Sequence, residues 1–421
     1  MSTVFFTGSG SKREIIFFAG IASLVVLFFF VRLLPYMSKP TGGFMSYYTS
    51  GKLLSKQYDM NILYDQQQFH DLIPVVTDSN VEEVYGPNPP TISILFLPFA
   101  SLSSANAKLV WEIFSLICVV YSLLLLRRQL KLNAAESLLM LALAFGFTPL
   151  YINFVYGQFY ALLLLLHILL LILWEKKNIF TASIALSSML ILKGYGIIFL
   201  ILALMLKEWR LIGYTIINFG LMLCATFFWI RPEIWGRYVE SLTTLSSAAP
   251  YAGTFQQNIQ SLIAHTFSTD KWNASPLINS PEIVQPLIWI SAALAIVLLL
   301  LFVRNLQQKT ITFSFCGALI IGVLFSPRLA DYHYILLLIP IVVMFKEFAS
   351  ISTAFQRIMF GIMLFLLSVK IPYHYSVFQN TWLGIFGFPR ICGAVILLWI
   401  TFRLISDRKT KEIQQTNPVT V

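Results

Sequence analysis

The chain has 421 residues, of which 57% are hydrophobic, 15% aromatic and 11% charged. A soluble domain carries about 25% charged residues, so this chain lacks the polar surface to cover a globule in water, and no long polar stretch is left for a soluble body on a single anchor. The composition predicts an all-α, polytopic membrane protein built of spans of about 20 residues, read as a single domain over residues 1–421.

In chain order, apolar segments are predicted at 15–34, 90–103, 104–126, 134–150, 158–174, 179–193, 194–206, 211–230, 283–303, 310–326, 332–345, 354–371 and 381–402. The run from Ile15 is of span length without a small-residue cleavage site, so it reads as a retained first helix. Short basic links recur between segments: Lys12/Arg13, Arg127/Arg128/Lys131, Lys176/Lys177, Lys207/Arg210, Arg304/Lys309 and Lys346/Arg357, with a basic tail over 403–421. Placed on the cytoplasmic side, these links and their neighbours hold 17 basic and 7 acidic residues, against 12 and 12 elsewhere. The whole net charge of +10 is then the positive-inside bias and not a nucleic-acid footprint. Both termini read as cytoplasmic, which requires an even number of crossings. About 12 are expected, with the short stretch 90–103 as a half-span buried against protein. Cys118, Cys224, Cys316 and Cys392 lie in apolar segments and read as small core residues.

Two outer loops are long, 35–89 and 231–282, and loops of that length are usually functional or disordered. In the first, Phe44, Tyr47, Tyr48 and Leu54 recur at helical spacing with Ser46, Thr49, Ser50 and Lys52 between them, the pattern of an amphipathic helix lying in the interface. In the second, Trp235, Tyr238 and Leu242 form a similar stripe, and Asn273-Ala274-Ser275 fits a glycosylation sequon. The segments 179–193 and 194–206 form a short hairpin tipped by Lys193-Gly194-Tyr195-Gly196, and glycines at depth suit a cavity lining.

Asp59, Asp65, Asp71, Asp78, Glu82 and Glu83 all fall in the first outer loop, the main supply of a carboxylate able to activate a hydroxyl near the membrane. In Ser326-Pro327-Arg328-Leu329-Ala330-Asp331-Tyr332-His333, two readings stay open. Arg328 either pairs structurally with Asp331, or it holds a lipid-linked phosphate together with Lys193 and His333, as guanidinium geometry allows. Gln158 reads as a helix-end hydrogen bonder or a sugar contact. His167 reads as an interhelical group. No phosphate-cradling Gly loop, nucleotide fold, Gly-x-Ser-x-Gly elbow or zinc helix occurs, so an activated group must come from within the membrane. No cofactor is indicated; Asp331 and His333 are only a two-residue hint of a metal site.

These pieces resemble glycosyltransferase family 87, polyprenyl-phosphate-mannose-dependent enzymes of the GT-C superfamily. The resemblance runs from Phe44-Met45-Ser46-Tyr47-Tyr48 through Leu63-Tyr64-Asp65, Tyr85 with Pro89-Pro90, Leu97-Pro98-Phe99-Ala100, Ala107 and Trp111. It continues with Gly157-Gln158, Lys193, Asn258-Ile259-Gln260-Ser261 and Ser326-Pro327. It implies inverting transfer of a hexose or pentose from a polyprenyl-phosphate donor to an acceptor hydroxyl on a glycolipid or glycan. The active site would face outward from a bacterial inner membrane. The expected site residues are Arg328, Lys193 and His333 on the donor phosphate, Tyr47, Tyr48, Gln158, Asn258 and Asp331 as sugar or acceptor contacts, and, as base, Asp65 first and Glu82 second among the loop carboxylates, with Asp59, Asp71, Asp78 and Glu83 read as solvated loop charges. Family members typically carry an Asp just before the Phe-x-x-Tyr-Tyr stretch, where this chain has Gly43, and a paired His where it has Tyr332 before His333. A lipid or solute transporter, and a catalytically silent relative, are the other classes left open.

Overall fold

The computed structural model describes residues 12–247, 250–305, 311–347, 353–370, 375–379 and 382–416. Lys309 of the basic links and residues 417–421 of the tail lie outside the described residues. The described residues are helical, without strands, and two isolated bridges, Gln256 with Ala330 and Asp270 with Asn273, are the β pairing found among them.

Helix α1 (Lys12–Leu33) leads into the first outer loop, which folds as α2 (Gly42–Ser55), α3 (Gln66–Val76) and the short α4 (Thr91–Phe96). A long helix, α5 (Ser104–Gln129), is followed by α6 (Ala134–Gly146) and α7 (Thr148–Tyr156). Next come α8 (Tyr160–Glu175), the hairpin of α9 (Ile179–Lys193) and α10 (Ile197–Met205), and α11 (Trp209–Thr226). The second outer loop holds α12 (Pro232–Ser247) and α13 (Ile259–Phe267). The chain then runs through α14 (Val284–Asn305), α15 (Ile311–Leu324), α16 (Leu338–Glu347), α17 (Ala354–Ser368), the single turn α18 (Ser376–Gln379) and α19 (Pro389–Thr416).

Among the described residues, three helical stretches, Lys12–Tyr36, Ser104–Gln129 and Pro281–Arg304, are long and apolar enough to cross a bilayer. The apolar segment predicted over 134–150 is two helices bent by 51°. Pro149 is the cause, since it restricts Thr148 and cannot donate back to the preceding turn. Asn133 and Glu136 close the other end of α6 as a reciprocal capping box. On α1 and α14, Phe17, Leu24, Leu27, Trp289 and Ile290 are exposed. On an otherwise apolar helix such faces suit lipid and not water. Inside, α8 lies between α5 and α9, α9 packs on α11, α1 on α6, and α17 on α19. Hydrogen bonds join α9 to α11: Ser187 donates to the Thr215 carbonyl (2.9 Å) and Asn218 to Ser183 Oγ (2.8 Å).

Several local expectations are revised. Helix α2 does not lie on the surface: Ser46, Thr49, Ser50 and Gly51 are buried along with its aromatic residues. The small residues are what permit this, because a Cβ on Gly51 would stand 2.7 Å from the Phe96 carbonyl oxygen. Cys118 and Cys316 are buried, but Cys224 and Cys392 are exposed. His167 bonds within its own helix, Nδ1 to the Leu163 carbonyl at 2.6 Å, and not across helices. Asn273 of the sequon is buried and donates to the carbonyls of His265 (2.8 Å) and Ser268 (3.1 Å), so its amide is committed to the fold. Asp78 is no free loop charge. Its carboxylate accepts from Ser104 N (3.1 and 3.4 Å) at the start of α5, and that hydrogen bond lowers its pKa from the usual carboxylate value.

Candidate functional site

A cavity of about 770 Å³ opens between α2, the extended segment 83–88, the α9–α10 junction, α12 and the loop 325–333. Its lining is mixed in chemistry: Glu83, Gln158, Lys193, Arg328 and His333 are polar or ionisable, while Ile197 and Ile198 of α10, Ala295 of α14, and Leu319, Ile321 and Val323 of α15 are apolar.

Lys193 reaches the cavity because α9 stops there. Gly194 takes a left-handed conformation (φ 70°), which a residue without Cβ adopts freely, and caps the helix. The Lys193 ammonium donates to Asn88 Oδ1 and lies 5.6 Å from the Phe159 ring centre. Asn88 in turn donates to the Tyr85 carbonyl, while the hydroxyls of Tyr64 and Tyr85 donate to the carbonyls of Asn88 (3.0 Å) and Pro89 (2.6 Å). The Tyr85–Pro90 turn is thereby locked, and Lys193 with it.

Gln158 follows Gly157, another left-handed glycine (φ 61°) at the end of α7. Its Oε1 accepts from the Tyr47 hydroxyl at 2.5 Å. The turn is held from α5, where the Trp111 indole donates to the Gly157 carbonyl (3.0 Å) and the Lys108 ammonium to the Phe154 carbonyl (2.8 Å). Lys108 is fully buried and paired with Glu112, an arrangement that tolerates no lost partner. Neither stands out in the sequence, because an i,i+4 pair on a long helix looks like any surface pair.

Arg328 adopts φ 53°, a region costly for a residue with a Cβ. Such strain persists only where the surroundings over-determine it, and here they do. Leu329 O accepts from Gln257 N (2.8 Å), Gln256 and Ala330 form a bridge, and Gln257 O accepts from the Tyr334 hydroxyl (2.7 Å). The Gln257 side chain also donates to the Gly387 carbonyl (2.7 Å) and accepts from Arg390 N (3.3 Å) at the start of α19. Of the two readings of Arg328, the pair with Asp331 is not formed. Asp331 is instead bound by Arg390, fully buried, whose guanidinium also donates to the carbonyls of Leu367 and Val369 at the end of α17. Arg328 is left facing the cavity, with its guanidinium 5.0 Å from the Tyr251 ring centre.

His333 stacks on Tyr332, ring centres 4.6 Å apart, and its Nδ1 sits 2.8 Å from the Ala330 carbonyl. A carbonyl only accepts, so Nδ1 carries the proton and Nε2 is the free acceptor.

The remaining expected site residues lie elsewhere. Asp65 is exposed and caps α3 by accepting from Gln68 N (3.0 Å). Glu82 is exposed, and neither it nor Asp65 lines the cavity. Tyr48 is turned away, its hydroxyl donating to the Leu102 carbonyl at 2.6 Å. Asn258 is buried as the cap of α13, accepting from Ser261 N at 2.7 Å. Asp331, tied to Arg390, supports the loop and does not line the cavity. Glu83 does line it, and burial raises its pKa above the usual carboxylate value, opposed in part by a hydrogen bond from Val84 N.

An apolar, helical chain with a large cavity lined by both ionisable and apolar side chains has the features of a membrane protein with a ligand site. Residues 87–327 match glycosyltransferase family 87, more than half of the chain. The chain belongs to that family and is a membrane glycosyltransferase. No curated protein and no solved structure matches it.

Proposed function

We propose that the protein transfers a sugar, mannose or another hexose or pentose, from a polyprenyl-phosphate donor to a hydroxyl of a glycolipid or glycan acceptor. On this reading the cavity faces outward from a bacterial inner membrane, both termini are cytoplasmic, and the shorter apolar helices bring the crossings to about 12. The observation that carries the proposal is the mixed lining of the cavity. Lys193 and Arg328 supply positive charge for a phosphate, and the apolar residues of α10, α14 and α15 suit a prenyl chain. As the glycosyl bond breaks, charge builds on the phosphate oxygens, so the two cations stabilise the transition state more than the ground state. Gln158, held by Tyr47, is placed to hydrogen-bond sugar hydroxyls, and His333 Nε2 offers a neutral acceptor.

The test is transfer by purified protein in lipid, offered polyprenyl-phosphate [¹⁴C]mannose or GDP-[¹⁴C]mannose, with a total membrane lipid extract as acceptor. Product from the first and not the second is expected. Arg328→Lys keeps the charge but loses the planar fork, and should weaken donor binding with folding retained. Efficient turnover from the nucleotide sugar without lipid carrier would overturn the proposal.

A further inference from the structure

At the start of α2 the backbone is bare. Gly42 and Gly43 carry no side chains, and two groups from other segments occupy the space beside them. A Cβ on Gly42 would stand 2.5 Å from Glu83 Oε2, and one on Gly43 would overlap Gln158 Nε2 and lie 3.0 Å from the Tyr156 carbonyl oxygen. The two glycines therefore admit a carboxylate and an amide that any larger residue would push aside.

Glu83 is the one carboxylate among the described residues that lines the cavity. One oxygen, Oε1, accepts from Val84 N at 3.0 Å, which orients the group. No Lys or Arg forms an ion pair with it among the described residues. Its charge nonetheless acts on the hydroxyls of Tyr47 and Tyr332. Glu83 is half-buried, and a carboxylate kept for structure in such a place would be expected to have a cation, since withdrawing an unpaired charge from water is costly. This one lines the same cavity as Lys193, Arg328 and His333.

We infer that Glu83 is the general base of the transfer, admitted to the cavity by the bare Gly42-Gly43 backbone in place of a carboxylate on α2 itself. The inference rests on the transferase reading above. In the step, Glu83 takes the proton of the acceptor hydroxyl as that oxygen bonds to the sugar anomeric carbon from the face opposite the phosphate. The anomeric carbon–oxygen bond to phosphate breaks, its electron pair stays on the phosphate oxygen, and polyprenyl phosphate leaves against Arg328 and Lys193. The raised pKa of Glu83 fits this role, because a base nearer the working pH holds the abstracted proton more firmly.

The experiment measures single-turnover transfer from polyprenyl-phosphate [¹⁴C]mannose to membrane lipid extract across pH 4 to 9, with binding of polyprenyl phosphate measured separately. Glu83→Gln should lower the rate about 10²- to 10⁴-fold with lipid binding retained. Glu83→Asp should recover part of the loss, and the acid limb of the pH profile, present in the wild type, should vanish in Glu83→Gln. Asp71→Asn, an exposed carboxylate bonded only to Gln67 among the described contacts, serves as the neutral control. An active wild type whose Glu83→Gln variant keeps its rate and acid limb overturns the base assignment alone. That assignment also fails if Asp65→Asn or Glu82→Gln abolishes turnover while Glu83→Gln does not. A wild type that transfers nothing from this donor overturns the donor reading, and the role of Glu83 with it.

Discussion

Replacing Arg390 by Met tests how the Arg328 loop is held. Arg390 and Asp331 are buried, with side-chain exposures of 0% and 6%, so the variant leaves one carboxylate charge with no cation. It also orphans the carbonyls of Leu367 and Val369, which close α17 and favour a positive group at that helix end. Breaking a buried pair costs about 3–5 kcal/mol, and each orphaned carbonyl adds about 1 kcal/mol or more. The single variant should therefore lose at least about 5 kcal/mol, several thousandfold in the folded population. Asp331→Leu should cost a comparable amount, since it strands the guanidinium. The double variant Arg390→Met/Asp331→Leu should recover most of one single loss, because replacing both partners by apolar groups is close to neutral. Reversible unfolding in mixed micelles, followed by tryptophan fluorescence, gives the cycle; polyprenyl phosphate binding to the folded fraction gives its consequence for the site. Asp331 is three residues from Arg328, and both flank the Gln257–Leu329 hydrogen bond. Donor binding should therefore weaken in both singles. Additive single effects, or a loss under about 1 kcal/mol for Arg390→Met, would refute the claim that this pair holds the loop.

Three further outcomes follow from local geometry. Asp78→Ala should destabilise by about 0.5–2 kcal/mol, the range for a lost helix cap. The lowered pKa means that the Asp78 contribution is present above the unfolded carboxylate value and lost as pH falls through the folded one, so wild type and variant should converge in acid unfolding curves. Gly157→Ala puts a Cβ 2.6 Å from Phe44 Cβ and 2.7 Å from Lys108 Nζ in a left-handed turn, and chemical denaturation should show a loss of about 2–4 kcal/mol. Arg328→Gly should unfold later than the wild type, by about 1 kcal/mol from relieved backbone strain, while losing donor affinity.

How far the sequence reached depended on the kind of signal. Helices and membrane residence were legible because composition alone excludes water, and the α9–α10 hairpin was legible from Lys193-Gly194 between two short apolar arms. Lys193, Gln158, Arg328 and His333 stood out as polar residues at span ends, and they do meet in one cavity. Glu83 reads from the sequence as a solvated loop charge, behind Asp65 and Glu82. Neighbouring carboxylates in a loop without helical period carry no mark of which one faces inward, and only the fold turns Glu82 out and Glu83 in. The Arg390–Asp331 pair was unreadable for another reason: its partners are 59 positions apart, and the nearer Arg328 offered a simpler match. Helix α2 misled because Ser46, Thr49 and Ser50 look like a wet face, whereas they are buried beside Gly51, which lets the Phe96 backbone approach.

Glu83 and Arg328 share a property that separates them from the residues supporting them. Each is held at a cost to folding: Glu83 as a carboxylate whose pKa burial has raised, Arg328 as a non-glycine residue at φ 53°. For Glu83 the sign is definite. A raised folded-state pKa means the native state holds its proton longer, so stability falls as pH rises from the unfolded value through the folded one. Glu83→Gln should then be at least as stable as the wild type at neutral pH, just as Arg328→Gly should be more stable. Lys108, Glu112, Asp331 and Arg390 behave oppositely, since removing any one of them strands a buried partner. Substitutions that stabilise while abolishing transfer mark groups placed for chemistry, and those that destabilise first mark their scaffold. Thermal unfolding and turnover measured together on these six positions divide the site into its working groups and its frame, whichever acceptor the enzyme uses.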